Sequence, residues 1–224
     1  MKAERGVYSA IGTGAAPQIF YFESQSFWYL VFQNGNAAYS TNKDISNPAG
    51  WSVPTNFFSG TPSILTANIG SGYWVDMRTI RDSSQCYLFS SDDNGYLYRS
   101  QTSLANFPNG MGSTVIALSD TEYLLMVEVI GSDGYRYFRS WTGTSLAHTD
   151  SNPFARSTNV VFSGTAWTKS ISHGEMIRTK VNQAMTISPC NLRYLYQGVS
   201  PSAGGDYNAF PWKLGFLTQT NSAC

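Results

Sequence analysis

The stretch CYLFSSDDNGYLYRSQTSL, residues 86–104, decides the fold class. Tyr, Leu and Phe alternate with Ser and Arg on both sides of Asp92-Asp93-Asn94-Gly95, and an Asn-Gly pair favours the positive φ angles of a tight hairpin turn. An antiparallel hairpin is therefore expected, with strands at 87–91 and 96–100. The same layout, an aromatic-led strand, a turn and a strand ending in a Ser/Thr-rich loop, returns in WYLVFQNGNAAYSTN (28–42) and YLLMVEVIGSDGYRYFRSWTGTSL (123–146). A degenerate fourth copy runs from LRYLYQG (192–198) to LGFLTQT (214–220). Further strands are expected at 18–23 and 185–187, and helical periodicity is nearly absent. Repeats that each make one small antiparallel sheet predict an all-β β-propeller, because radial stacking buries faces that no single sheet can bury alone. A β-sandwich is the alternative on pattern alone.

At 224 residues the chain suits one all-β domain. Fourteen basic residues balance fourteen acidic ones, so no net field draws it to a nucleic-acid backbone or an anionic membrane. Charged residues make up 12% and aromatic residues 15%, a mix that fits a surface facing neutral sugars, whose apolar ring faces stack on aromatic side chains. No stretch approaches the ~18 apolar residues of a membrane span, and MKAERGVYSAIGTG at the start lacks the apolar core of a signal peptide. Cys86, Cys190 and Cys224 form no metal-ligand spacing; one disulfide and one remaining thiol are expected.

Several strings are more specific than composition: GNAAYSTNKDISNPAGWS (35–52), GSGYWVDM (70–77), CYLFSSDDNGYLYRSQTSLANFPNGMG (86–112), YLLMVEVIGSDGYRYFRSWT (123–142), WTKSISHGEMIR (167–178) and PCNLRYLYQGVSPSAGGDYNAFPWKLGFLTQT (189–220). In this order they resemble family 62 glycoside hydrolases, the α-L-arabinofuranosidases, over nearly all of the chain after Pro17. The resemblance implies a secreted, monomeric, single-domain five-bladed propeller over residues 1–224, with its first blade largely missing here. It implies removal of arabinofuranosyl side groups from arabinoxylan or arabinan with inversion, which needs a general acid on the leaving oxygen and a general base on water across the sugar.

Residue by residue, Asp76 in YWVDM matches the carboxylate that tunes the acid. His173 in SISHGE matches a histidine beside a structural calcium, with Glu175 as a neighbouring acceptor or a plain surface charge. Tyr207 and Asn208 in GGDYN match the contacts to arabinose. Trp28, Trp51, Trp74 and Trp212 are expected to pack blades, and His148 suggests nothing specific. The chain also departs from the pattern. Relatives carry the base on an opening strand, in a Lys-Asp segment, and none precedes Pro17; Lys43-Asp44 belongs to a different loop of the family and is rejected as the base. Relatives carry the acid in a Leu-Phe-Glu-Ala segment between ALSD and YLLMVE, yet ALSDTEYLLMVE (117–128) joins the two directly. Neither Glu122 at the junction nor Glu128 on the strand matches the acid. Base and acid segments are thus expected to be absent, leaving a weakened hydrolase or a non-catalytic carbohydrate-binding propeller. A further gap follows TGTSLAHTDSNPFA (142–155), and Arg81 replaces a family cysteine, which leaves Cys86 without its usual mate and Cys190 and Cys224 able to pair.

Overall fold

Alternation becomes sheet strand by strand in the computed structural model, which describes residues 15–69, 73–81, 86–92, 96–99, 102–106, 110–118, 122–131, 136–142, 154–206 and 209–220. The chain divides into two compact units, one of Met1–Phe107 with Lys180–Met185, the other of Pro108–Thr179 with Thr186–Cys224.

The first unit holds two four-stranded antiparallel meanders. Strands β1 (Ala15–Phe22), β2 (Phe27–Gln33), β3 (Ala37–Asn42) and β4 (Thr55–Asn56) follow one another in space as in sequence. A six-residue helix, α1 (Ser63–Asn68), buries Leu65 and leads to β5 (Trp74–Arg81), β6 (Cys86–Asp92), β7 (Tyr96–Arg99) and β8 (Thr102–Asn106). The β2–β3 turn passes through Gly35 at φ +69, a left-handed conformation that costs glycine nothing. Val31, Phe32, Ala37 and Ala38 fill the centre of the first sheet, and β1 and β2 pack on β5. Buried Gln18 clips these sheets together: its Oε1 accepts the Thr79 backbone N–H at 2.7 Å and the Thr79 hydroxyl at 3.1 Å. The returning segment 180–185 ties the same strands, Tyr21 N–H donating to the Val181 carbonyl at 2.7 Å and Arg81 N–H to that of Gln183 at 3.1 Å.

The second unit holds two three-stranded meanders, β9 (Gly110–Ala117), β10 (Tyr123–Ile130) and β11 (Arg136–Thr142), then β12 (Ser172–Met176), β13 (Arg193–Gly198) and β14 (Lys213–Thr218). Each has its middle-numbered strand at the centre. Residues 124–129 of β10 are buried without a break, so this strand is covered on both faces and reads as a continuous apolar run interrupted by Glu128. On β13, Tyr196 faces Gly215 of β14, where an added Cβ would come within 2.3 Å of the ring. The tyrosine therefore lies flat on bare backbone, and its burial raises the phenol pKa above the ordinary range.

Each of the four repeats supplies the second and third strands of one sheet, β2–β3, β6–β7, β10–β11 and β13–β14; the copy at 86–104 runs on into β8. The expected strand at 185–187 does not form. Met185 is buried at φ +54, outside the extended region, and the segment makes single bridges instead, Asn182 to Tyr21 and Thr186 to Ala117. The Asn94-Gly95 turn lies outside the described residues.

Candidate active site

Asp76 sits on β5, the first strand of its sheet, where β5 and β6 slip register between Val75–Ser91 and Arg78–Phe89. Two residues, Asp76 and Met77, thus oppose the single Ser90, the arrangement of a β-bulge. Asp76 takes φ +57, left-handed backbone that Asp tolerates better than most residues but that still costs about 1 kcal/mol or more. The side chain is 7% exposed, and the Ser91 hydroxyl donates to Oδ2 at 3.5 Å, the outer limit of a hydrogen bond. The bulge turns this strained, buried carboxylate out of the strand's regular alternation.

In the second unit a bulge again displaces the residue singled out. On β12, Ser172 pairs with Gln197 and Gly174 with the adjacent Tyr196, so His173 is the extra residue. Gly174 is required beside it, since a Cβ there would lie 2.0 Å from the Leu195 carbonyl oxygen. His173 Nδ1 stands 3.3 Å from Oε2 of Glu128, whose Oε1 accepts the Ser172 hydroxyl at 2.7 Å. Glu128 is 1% exposed, next to a third register slip, between Glu128 and Val129 against β9. A buried carboxylate so placed fixes the orientation of the half-buried imidazole. By its sequence context Glu128 is a strand residue that does not match the acid. A glutamate within an otherwise apolar central strand was the available signal, since such a group is almost never fully buried without partners.

Among the described residues no group of three His, Cys, Asp or Glu could hold a metal. Calcium takes 6–8 oxygen ligands, so His173 offers a single donor and not a protein-built cage. Glu175 is half-buried on the same strand. Tyr207 and Asn208 lie outside the described residues, as do His148 and Cys224. Trp74 is buried against Phe58 with ring centroids 6.0 Å apart, Trp28 lies 5.4 Å from Tyr21, and Trp212 5.7 Å from Phe210, all packing contacts. Lys43-Asp44 forms a surface turn in which Asp44 Oδ1 accepts the Ser46 N–H at 2.9 Å and hydroxyl at 2.6 Å. Those bonds hold the Asp44 pKa below the ordinary carboxylate value, the opposite of what a general base needs. Cys86 is an exposed thiol, and Cys190 is disulfide-bonded.

The junction between β9 and β10 is the sharpest local feature. Ala117 pairs with Tyr123, and Leu118 N–H donates to the Glu122 carbonyl at 2.9 Å, closing a hairpin over a five-residue connection. The Glu122 side chain is exposed.

A family model for glycosyl hydrolase family 62 matches residues 6–218. The chain belongs to that family. Alpha-L-arabinofuranosidase C of Cellvibrio japonicus (strain Ueda107) is 41% identical over 236 residues, covering 93% of this chain and 36% of the relative, so the chain spans about a third of that protein's length. The catalytic domain of a family 62 α-L-arabinofuranosidase from Coprinopsis cinerea is 60% identical at TM-score 0.85, covering 95% of this chain and 75% of that one. A Podospora anserina α-L-arabinofuranosidase solved with cellotriose is 55% identical at the same score and coverage. A family 43 protein from Bacillus licheniformis, 16% identical at TM-score 0.58, shares the fold alone. The four meanders are thus blades of a family 62 propeller-type fold, as the repeats imply.

Proposed function

We propose that this family 62 chain recognises arabinofuranosyl side groups of arabinoxylan or arabinan and acts on them as an inverting α-L-arabinofuranosidase of much reduced rate. The observation that carries the proposal is the β9–β10 hairpin closed between Leu118 and Glu122, in a chain that retains a strained, buried Asp76 on β5. Asp76 is the tuning carboxylate: poorly solvated, it couples strongly to any neighbouring acid. The hairpin stands where relatives are expected to carry the acid, and Glu122, exposed at its end, is no substitute. Protonation of the leaving oxygen contributes about 10²–10⁴-fold, and that contribution is the one this chain forgoes.

Tyr207 and Asn208 hold the sugar in this reading, the phenol by ring contact and hydrogen bond. One calcium belongs to the same proposal: His173, its ring steadied by Glu128, would offer a single nitrogen to it, and oxygen donors would have to complete its coordination. The chain works as a monomeric, single catalytic-type domain outside the cell, where its polymer lies; the disulfide at Cys190 agrees with an oxidising compartment. A second reading, a non-catalytic carbohydrate-binding propeller, draws on the same hairpin.

Arabinose release from wheat arabinoxylan, measured beside binding to the same polymer, separates the two. Binding with slow release that vanishes in Asp76→Asn is expected. Binding with no release selects the carbohydrate-binding reading, and neither binding nor release overturns both.

A further inference from the structure

A cavity of about 320 Å³ opens on the first unit, away from Asp76. Phe22, Tyr29, Tyr39 and Phe57 line it, with Arg81 and Cys86 on its rim. Asp76 is not among the lining residues, and the nearest of them on β5, Thr79, lies three residues from it, about 10 Å at the rise of a strand, so cavity and carboxylate are distinct. The rings form a continuous series: Tyr29 to Tyr39 at 5.4 Å between centroids, Tyr39 to Phe57 at 4.8 Å, and Phe22 edge-on to Tyr29 at 5.7 Å. The Arg81 guanidinium stands 5.7 Å over the Phe22 ring, which keeps its planar donors at the rim. Phe57 is 38% exposed and Cys86 is exposed, so the cavity is reached from solvent.

From this geometry we infer a second saccharide-binding site, one that takes a neutral pyranose unit of the polymer backbone. The inference rests on the carbohydrate reading above and extends it from the side group to the chain that bears it. A pyranose has an apolar C–H face for the aromatic wall and equatorial hydroxyls for the polar rim, and the volume is at the small end of ligand pockets, about 300–1,000 Å³. Burial keeps the Tyr29 phenol pKa above the ordinary value, so its hydroxyl stays protonated, a donor engaged with Gln25. A hydrolase of weak turnover gains from such a site because two contacts on one polymer raise the effective concentration of each.

Cys86 provides a reporter in the unaltered protein. Its alkylation by N-ethylmaleimide, followed by peptide mass mapping with and without xylotriose, should slow about tenfold as the saccharide approaches saturation. Phe57→Ala removes an exposed ring without opening the core, and should weaken the protection about tenfold in apparent Kd. Asp76→Asn should leave the protection intact. An alkylation rate indifferent to xylotriose, or protection unchanged by Phe57→Ala, overturns the inference. If arabinoxylan still binds in that case, the second site alone has failed; if xylotriose protects Cys86 while no arabinose is released and arabinoxylan binding is unchanged in Asp76→Asn, the side-group reading has failed and the second site stands.

Discussion

An aryl arabinofuranoside with a nitrophenolate leaving group will be hydrolysed by this chain far better, relative to arabinoxylan, than by the Coprinopsis cinerea catalytic domain. The ratio of aryl to polymer rates should exceed that of the relative by about 10²–10⁴-fold. A nitrophenolate departs without a proton, whereas a sugar hydroxyl must receive one as the glycosidic bond breaks. An enzyme short of its acid therefore loses most on the poor leaving group. Taking a ratio within each protein cancels every defect common to both substrates, including any in water activation. The structural basis is local: Ala117 pairs with Tyr123 and Leu118 bonds to Glu122, so β9 and β10 join through five residues where the resemblance expects a longer, acid-bearing segment. Ratios equal within a few-fold would mean that some other group protonates the leaving oxygen, with Glu122 the first candidate.

Glu128→Ala should destabilise the protein by about 3 kcal/mol in urea unfolding, against about 1 kcal/mol for Glu128→Gln. Truncation removes an acceptor that is 1% exposed and leaves the Ser172 hydroxyl and the His173 ring facing an interior void. The amide preserves the shape and one acceptor oxygen. His173 is 33% exposed at its side chain, so solvent screens its share and most of the loss belongs to Ser172 and the void. Equal, small losses for both substitutions would show that Glu128 is not the anchor of this cluster.

The fold was legible because its repeats mark their own centres. Second and third strands of each sheet are aromatic and aliphatic runs bounded by turn residues, and the expected limits fall within a residue of the observed ones, 87–91 against Cys86–Asp92 and 96–100 against Tyr96–Arg99. First strands are different. Trp74–Arg81 interrupts apolar residues with Asp76 and two arginines, and Ser172–Met176 holds serine, histidine, glycine and glutamate, so neither shows a period of two. These strands escaped the pattern because bulges at Asp76 and His173 break the alternation, and the same bulges position the side chains of interest. Asp76 and His173 were identified through family strings and not through periodicity. Glu128 was overlooked because its partners, Ser172 and His173, lie 44 and 45 residues away, a proximity that no local pattern encodes. Met185 misled in the opposite sense: Met185-Thr186-Ile187 has strand composition, yet Met185 is buried at φ +54 and the segment makes single bridges at Asn182 and Thr186.

Replacing the Leu118–Glu122 connection by the corresponding segment of the Coprinopsis cinerea domain, and measuring arabinose release from arabinoxylan against aryl arabinofuranoside hydrolysis, tests most directly whether the closed hairpin is what limits this chain. The polymer-to-aryl rate ratio should rise about 10²-fold or more. A ratio unmoved by the graft, in a protein that melts as sharply as before, would contradict it.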